Sequence, residues 1–159
     1  MKAQKTLFLH GYESSGQGTK GRFFTDNFPE VASHDYLGSL EARMQELEKN
    51  CTGADNILLI GSSYGGLMAT IFALAHPERV AKLILLAPAL NYGDYQPPSE
   101  KLPTPTIVIV GKNDTITPVD LVVPLAENTF ENLEIRIVDD DHMLHKSFEQ
   151  LKWQQLLAV

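Results

Sequence analysis

Cysteine is almost missing from this chain. Cys51 stands alone in 159 residues, so an internal disulfide and a thiolate metal cluster are both excluded. A lone thiol of this kind reads as an incidental small apolar residue. Positive charge is also scarce: 13 Lys and Arg face 20 Asp and Glu, giving a net charge of −7 with no basic cluster. The electrostatic footprint of a nucleic-acid or anionic-membrane partner is therefore missing. Nor is there a long apolar run near the start, where only Leu7, Phe8 and Leu9 stand together before His10. That is too short for a signal-peptide core or a membrane span, and the expectation is a cytoplasmic protein with no membrane insertion. Repeats, low-complexity tracts and linkers are absent as well. At 43% hydrophobic, the expectation is one domain over residues 1–159, built on one sizeable core.

What is present is an alternation of two patterns. Six short apolar or β-branched runs bounded by turn residues predict strands: 5–11 (KTLFLHG), 31–37 (VASHDYL), 56–62 (NILLIGS), 82–88 (KLILLAP), 106–112 (TIVIVGK) and 134–140 (EIRIVDD). Three of these are apolar nearly throughout, as strands buried on both faces of a parallel sheet should be. Helices must cover those faces. In 39–50, Leu40, Met44 and Leu47 form one apolar stripe with Ser39 as cap. The stretch 66–75 is apolar nearly all round and stops before Pro77. Thr117-Pro118 reads as a cap and first-turn proline, with Pro124 set to kink or delay the helix that follows. The last helix is expected over 144–159, with Leu144, Phe148, Leu151 and Leu156 on one face. The fold class is therefore α/β, a three-layer α/β/α sandwich around a mostly parallel, doubly wound six-stranded sheet.

In such sheets ligands gather at the carboxyl ends of the strands, and three reactive candidates follow strands directly. Ser63 is the centre of Gly61-Ser62-Ser63-Tyr64-Gly65. That G-x-S-x-G spacing lets a strand turn abruptly into a helix and holds the central serine in strained geometry, with glycines where neighbouring backbone approaches. Ser62, one place off centre, is expected to point inward or bond a local backbone group. A serine hydroxyl needs a base, usually a histidine oriented by a carboxylate. His142 lies in the loop after the last strand and is the candidate base, with His145 as the alternative. His10 reads as a residue that shapes a turn. Asp114 follows the penultimate strand and is the candidate acid, with Asp94 and Asp139 in reserve. The order Ser63, Asp114, His142 is one known hydrolase arrangement. The acidic run 139–141 reads as a solvated turn.

The segments LFLHGYESSG, GSSYGG, AHPERVAKLILLAPA and VGKNDTITP, in that order, resemble α/β-hydrolases, in particular small bacterial esterases with little or no cap domain. The resemblance implies a minimal α/β-hydrolase fold, and that HGY at 10–12 is the oxyanion-hole turn, with the backbone N–H groups of Tyr12 and Tyr64 as donors. The chain departs from larger members in having no room for their first two strands. Residues 88–105 are too few for a folded lid, and DDDH stands where GDH is common. The expected activity is that of a serine hydrolase, a carboxylesterase or thioesterase acting on small esters through an acyl-enzyme, with no metal or cofactor. The same fold hosts peptidases and lyases, and a binding domain without turnover is the alternative from another class.

Overall fold

A computed structural model describes residues 3–159. Its centre is a run in which burial never lapses: Ile57, Leu58, Leu59 and Ile60 are each fully buried. The strand β3 (Ile57–Ser62) lies mid-sheet, where both faces are covered. Successive side chains of a strand point to opposite faces, so Ile57 and Leu59 enter one core while Leu58 and Ile60 enter the other. The same alternation holds in β1 (Lys5–Leu9), β4 (Val80–Leu86) and β5 (Thr106–Gly111). Leu7, Leu83 and Val108 face one way and Phe8, Ile84 and Ile109 the other.

The sheet is completed by β2 (Val31–Ser33) and β6 (Leu133–Val138) at its two edges. All five strand pairings are parallel, so the sheet is wholly rather than mostly so. The order is β2-β1-β3-β4-β5-β6. The chain builds leftward from β1 to β2, then returns to the other side of β1 for β3, and this reversal opens a crevice at the carboxyl ends of β1 and β3.

One face is covered by α2 (Leu40–Asn50), α3 (Tyr64–Ala75) and α4 (Val119–Thr129), through Leu47, Met68, Phe72 and Val122. The expected cap of α2 is in place, Ser39 Oγ accepting from the Ala42 N–H at 3.1 Å. The other face is covered by α1 (Thr19–Asn27), which its sequence, with an internal glycine and few apolar residues, did not announce. Phe24 of α1 meets Phe148 and Trp153 edge-on, at centroid separations of 5.7 and 4.9 Å.

Two helix expectations need correction. Residues 144–159 form no continuous helix, but a 3-10 turn at Phe148–Gln150 and a short α5 (Trp153–Leu156). Leu144 has φ +54°, outside helical geometry, and Leu151 is extended. The apolar assignment survives the loss of the period, since Leu144, Phe148 and Leu156 are all buried. In α4 the cap position belongs to Pro118, whose backbone is extended at ψ 144°, so the helix begins one residue later than expected and the Thr117 hydroxyl bonds Asp114 instead. Pro124 lies inside that helix without ending it. The carbonyl of Asp120, which it deprives of a donor, belongs to an exposed residue open to water.

Candidate active site

β3 ends at Ser62, and α3 starts two residues later at Tyr64. Ser63 must absorb the whole change of direction, and it does so at φ +54°, ψ −113°, a conformation costly for a residue with a Cβ. The surroundings hold it there. Its N–H donates to Leu86 O at 2.9 Å, and its carbonyl accepts from the N–H groups of Gly66 and Ala89, each at 2.9 Å. Glycine is required beside it for lack of space: a Cβ on Gly65 would come within 2.0 Å of Leu9 O, and one on Gly61 within 2.3 Å of Gly65 O.

The three sequence candidates come together. His142 Nε2 is 3.0 Å from Ser63 Oγ, and His142 Nδ1 is 2.7 Å from Asp114 Oδ2. Asp114 is buried, 6% exposed, with every lone-pair direction used. Oδ1 accepts from the N–H groups of Ile116 and Thr117 at 2.8 and 2.7 Å, and Oδ2 accepts from the Thr117 hydroxyl at 2.7 Å. Burial works against its ionisation. The bonds from Thr117, His142 and Ile116 outweigh burial and hold the carboxyl below its ordinary range. Thr117 Oγ1 is also 3.1 Å from His142 Nδ1. Sequence reasoning gave Thr117 a helix cap and missed its place at the site, for which the aspartate-to-threonine spacing of a tight turn was the signal.

The other candidates fall elsewhere. His145 Nδ1 pairs with Asp141 Oδ2 at 2.7 Å on the surface. Asp139 faces Lys112 at 3.4 Å, and Asp94 is exposed. Ser62 differs from expectation: it is half-buried, lines the same cleft as Ser63, and its hydroxyl has no partner among the described residues. His10 is buried at 1% exposure, with Nδ1 on Gly11 O at 2.7 Å and Nε2 accepting from the Tyr36 N–H at 2.8 Å. Burial pushes its pKa down, against the pull of the Gly11 carbonyl. A neutral imidazole thus links the turn after β1 to the segment after β2.

The acidic run also needs correction, because Asp140 is buried rather than solvated. Its Oδ1 accepts from the Asp141 N–H at 2.8 Å, and its Oδ2 accepts from the Lys146 and Ser147 N–H groups at 2.9 and 2.8 Å. Burial opposes its charge, but the donors of Asp141, Ser147 and Lys146 win and bring its pKa down to about 2. The loop that presents His142 is therefore pinned at both ends by one carboxylate.

Around these residues opens a cleft of about 600 Å³. Tyr12, Tyr64, Tyr92, Ile116, Lys20 and Met143 are among the residues that line it. Lys20 Nζ donates to Met143 O at 2.8 Å, joining the start of α1 to the His142 loop. The backbone N–H groups of Tyr12 and Tyr64 have no acceptor among the described residues, and Tyr64 opens α3, where unpaired N–H groups gather. Among the described residues no three metal-ligating side chains cluster, and no helix is long and apolar enough to cross a membrane.

The sequence is similar to longer proteins. It is 32% identical over 88 residues to the (lyso)-N-acylphosphatidylethanolamine lipase of Mus musculus, a match covering 55% of this chain and 24% of that protein. It is 36% identical over 75 residues to a homoserine O-acetyltransferase of Thermus thermophilus, covering 47% and 18%. The matched region thus spans a quarter or less of these relatives' length. Solved structures share the fold at low identity. Mouse alpha/beta hydrolase domain-containing protein 10 superposes with a TM-score of 0.74 at 17% identity, covering 98% of this chain and 87% of the other. A monoacylglycerol lipase from Paleococcus ferrophilus gives 0.74 at 15%, covering 99% and 97%. The family model described as the alpha/beta hydrolase fold matches residues 9–100, and the chain belongs to that family.

Proposed function

We propose that this protein is a serine hydrolase of small carboxylic esters or thioesters, with Ser63 as nucleophile, His142 as base and Asp114 as orienting acid. The reading rests above all on the unbroken line Asp114, His142, Ser63, with separations of 2.7 and 3.0 Å. Asp114 accepts a hydrogen bond from His142 Nδ1–H, which leaves Nε2 free to take the Ser63 proton as Oγ attacks the carbonyl carbon. The tetrahedral oxyanion meets the N–H groups of Tyr12 and Tyr64. His142 then gives its proton to the departing alcohol or thiol. A water, deprotonated by the same imidazole, attacks the acyl-enzyme, and His142 returns the proton to Ser63 Oγ as the acid is released. Family likeness to lipases supports the reaction class. A binding module has no need of a strained serine aligned with a base and a buried acid, which favours the enzyme.

A fluorophosphonate probe tests this directly. Wild type and Ser62→Ala should be labelled, and Ser63→Ala should not. Labelling that survives Ser63→Ala, or a wild type that neither labels nor hydrolyses any p-nitrophenyl ester, overturns the proposal.

A further inference from the structure

The helix α2 carries its apolar stripe as expected, but Arg43 lies within it. It is 3% exposed, and it has no carboxylate within ion-pair distance among the described residues. Its Nε donates to Gly38 O at 3.0 Å and its Nη2 to Tyr12 O at 3.1 Å. Its Cζ stands 4.8 Å from the Tyr12 ring centroid and 5.1 Å from that of Tyr64. The two rings meet edge-on at 5.3 Å. Its remaining nitrogen, Nη1, is buried without an acceptor among the described residues. A buried guanidinium usually takes a carboxylate partner. Here aromatic faces serve instead, and no carboxylate among the described residues pairs with it directly.

The geometry points to Arg43 as the positioning residue that sets the two oxyanion donors, Tyr12 and Tyr64, against each other. This inference rests on the hydrolase reading above. The donors come from separate segments, the turn after β1 and the first residue of α3, and their N–H groups must converge on one oxygen. A single guanidinium contacts both residues: it bonds the Tyr12 carbonyl and touches the ring of each. The fork fixes the Tyr12 main chain, and the rings fix the distance between the two segments. Its positive charge, not paired directly with a carboxylate, adds a favourable potential where negative charge develops. Lysine cannot reproduce this, since one ammonium lacks the planar fork that reaches Gly38 and Tyr12 together and stacks on aromatic rings.

The test compares Arg43→Met and Arg43→Lys with wild type in three measurements: kcat and KM for p-nitrophenyl butyrate, the inhibition constant of butylboronic acid, and thermal melting. The boronic acid accepts the Ser63 oxygen at boron, His142 takes the hydroxyl proton, and the tetrahedral adduct places an oxygen in the oxyanion site. Misplacement of the donors should lower kcat in Arg43→Met by about tenfold to a hundredfold. KM should stay within about threefold, because ground-state binding does not use the oxyanion site. The boronic acid should weaken by the same factor as kcat, a parallel that a merely structural role would not produce. Arg43→Lys should fall between Met and wild type, and it decides the matter if Arg43→Met does not fold. A folded variant with wild-type kcat and wild-type boronate affinity overturns the inference, as does a variant in which KM alone changes. Labelling and ester turnover of the wild type keep the two proposals apart. An unreactive wild type removes both, whereas a reactive wild type with unaltered variants removes this one alone.

Discussion

Replacing Asp140 by asparagine changes one atom and should loosen the whole loop that presents His142. The carboxylate accepts three backbone N–H groups, from Asp141, Lys146 and Ser147. An asparagine can turn its oxygen toward only one side. In the better orientation it keeps Lys146 and Ser147 and opposes the Asp141 N–H with a second donor. One charge-assisted bond, of about 1.5–3 kcal/mol, is then lost. The remaining two become neutral and weaken by roughly half. Relaxation and water recover part of the total, leaving a cost of about 2–4 kcal/mol. Set against the ~5–15 kcal/mol of a typical domain, the protein stays folded. Activity should suffer more visibly, since displacing a catalytic group by about 1 Å can cost about a hundredfold. We expect kcat for p-nitrophenyl acetate to fall by about tenfold to a hundredfold, and the urea midpoint at neutral pH to drop. Asp139→Asn, next door but on the surface, should do neither. The acid limb supplies a second signature. With its pKa lowered to about 2, Asp140 contributes stability that is complete above the ordinary carboxylate range near 4 and is lost as pH falls through about 2. Asp140→Asn should lack that limb. A variant within about 0.5 kcal/mol of wild type, about what a surface substitution does, and with unchanged kcat would refute the reasoning and mean that other contacts hold the loop.

Three further outcomes follow from the site. Asp114→Asn should fold yet lose about 10⁴-fold in kcat, and a variant keeping more than about a tenth of wild-type turnover would remove Asp114 from the orienting role. His10 is held neutral by burial, so its folded pKa lies below the ordinary 6.5. Its stabilisation is full above that value and declines as pH drops below it, because the unfolded chain then binds a proton that the folded one refuses. Urea melts at pH 7.5 and 5.0 should show this decline in wild type and a smaller one in His10→Gln; equal slopes would contradict it. Acyl length should matter little beyond the cleft of about 600 Å³. Each buried methylene adds up to ~0.8 kcal/mol only while apolar wall remains, so kcat/KM for soluble p-nitrophenyl esters should peak between acetate and hexanoate. An optimum at twelve or more carbons would reject this.

The sheet was legible because its pattern is local. The buried central strands read as nearly unbroken apolar runs and the edge strands as short β-branched or apolar stretches between turn residues, with ends displaced by a few residues at most sites. The assembly of Ser63, Asp114 and His142 was legible for a topological reason: parallel strands deliver their carboxyl ends to one side, so residues that follow strands become neighbours. What escaped was everything decided by distant partners. The helix α1 has little apolar periodicity of its own and is held by Phe24 against Phe148 and Trp153, far along the chain. Arg43, charged within 39–50, gave no sign of burial, and Asp140 read as part of a solvated turn. Their burial depends on Tyr12 and Tyr64 in one case and on a backbone turn at 146–147 in the other. The tail from 144 failed through its period, because an apolar face can be buried by short irregular pieces as well as by one helix.

His142 hangs from β6, and β6 is an edge. It pairs on one side only, with β5, and its residues are half-buried or exposed, whereas β3 and β4 are sealed between two cores. Edge elements with few buried contacts open at lower free energy than the centre of the fold. Ser63 belongs to the sealed part and His142 to one of the two edges, β2 being the other. On warming, His142 should therefore leave Ser63 while the central sheet still stands. Thermal inactivation would precede melting, and on cooling the activity would return at the rate at which one edge strand redocks.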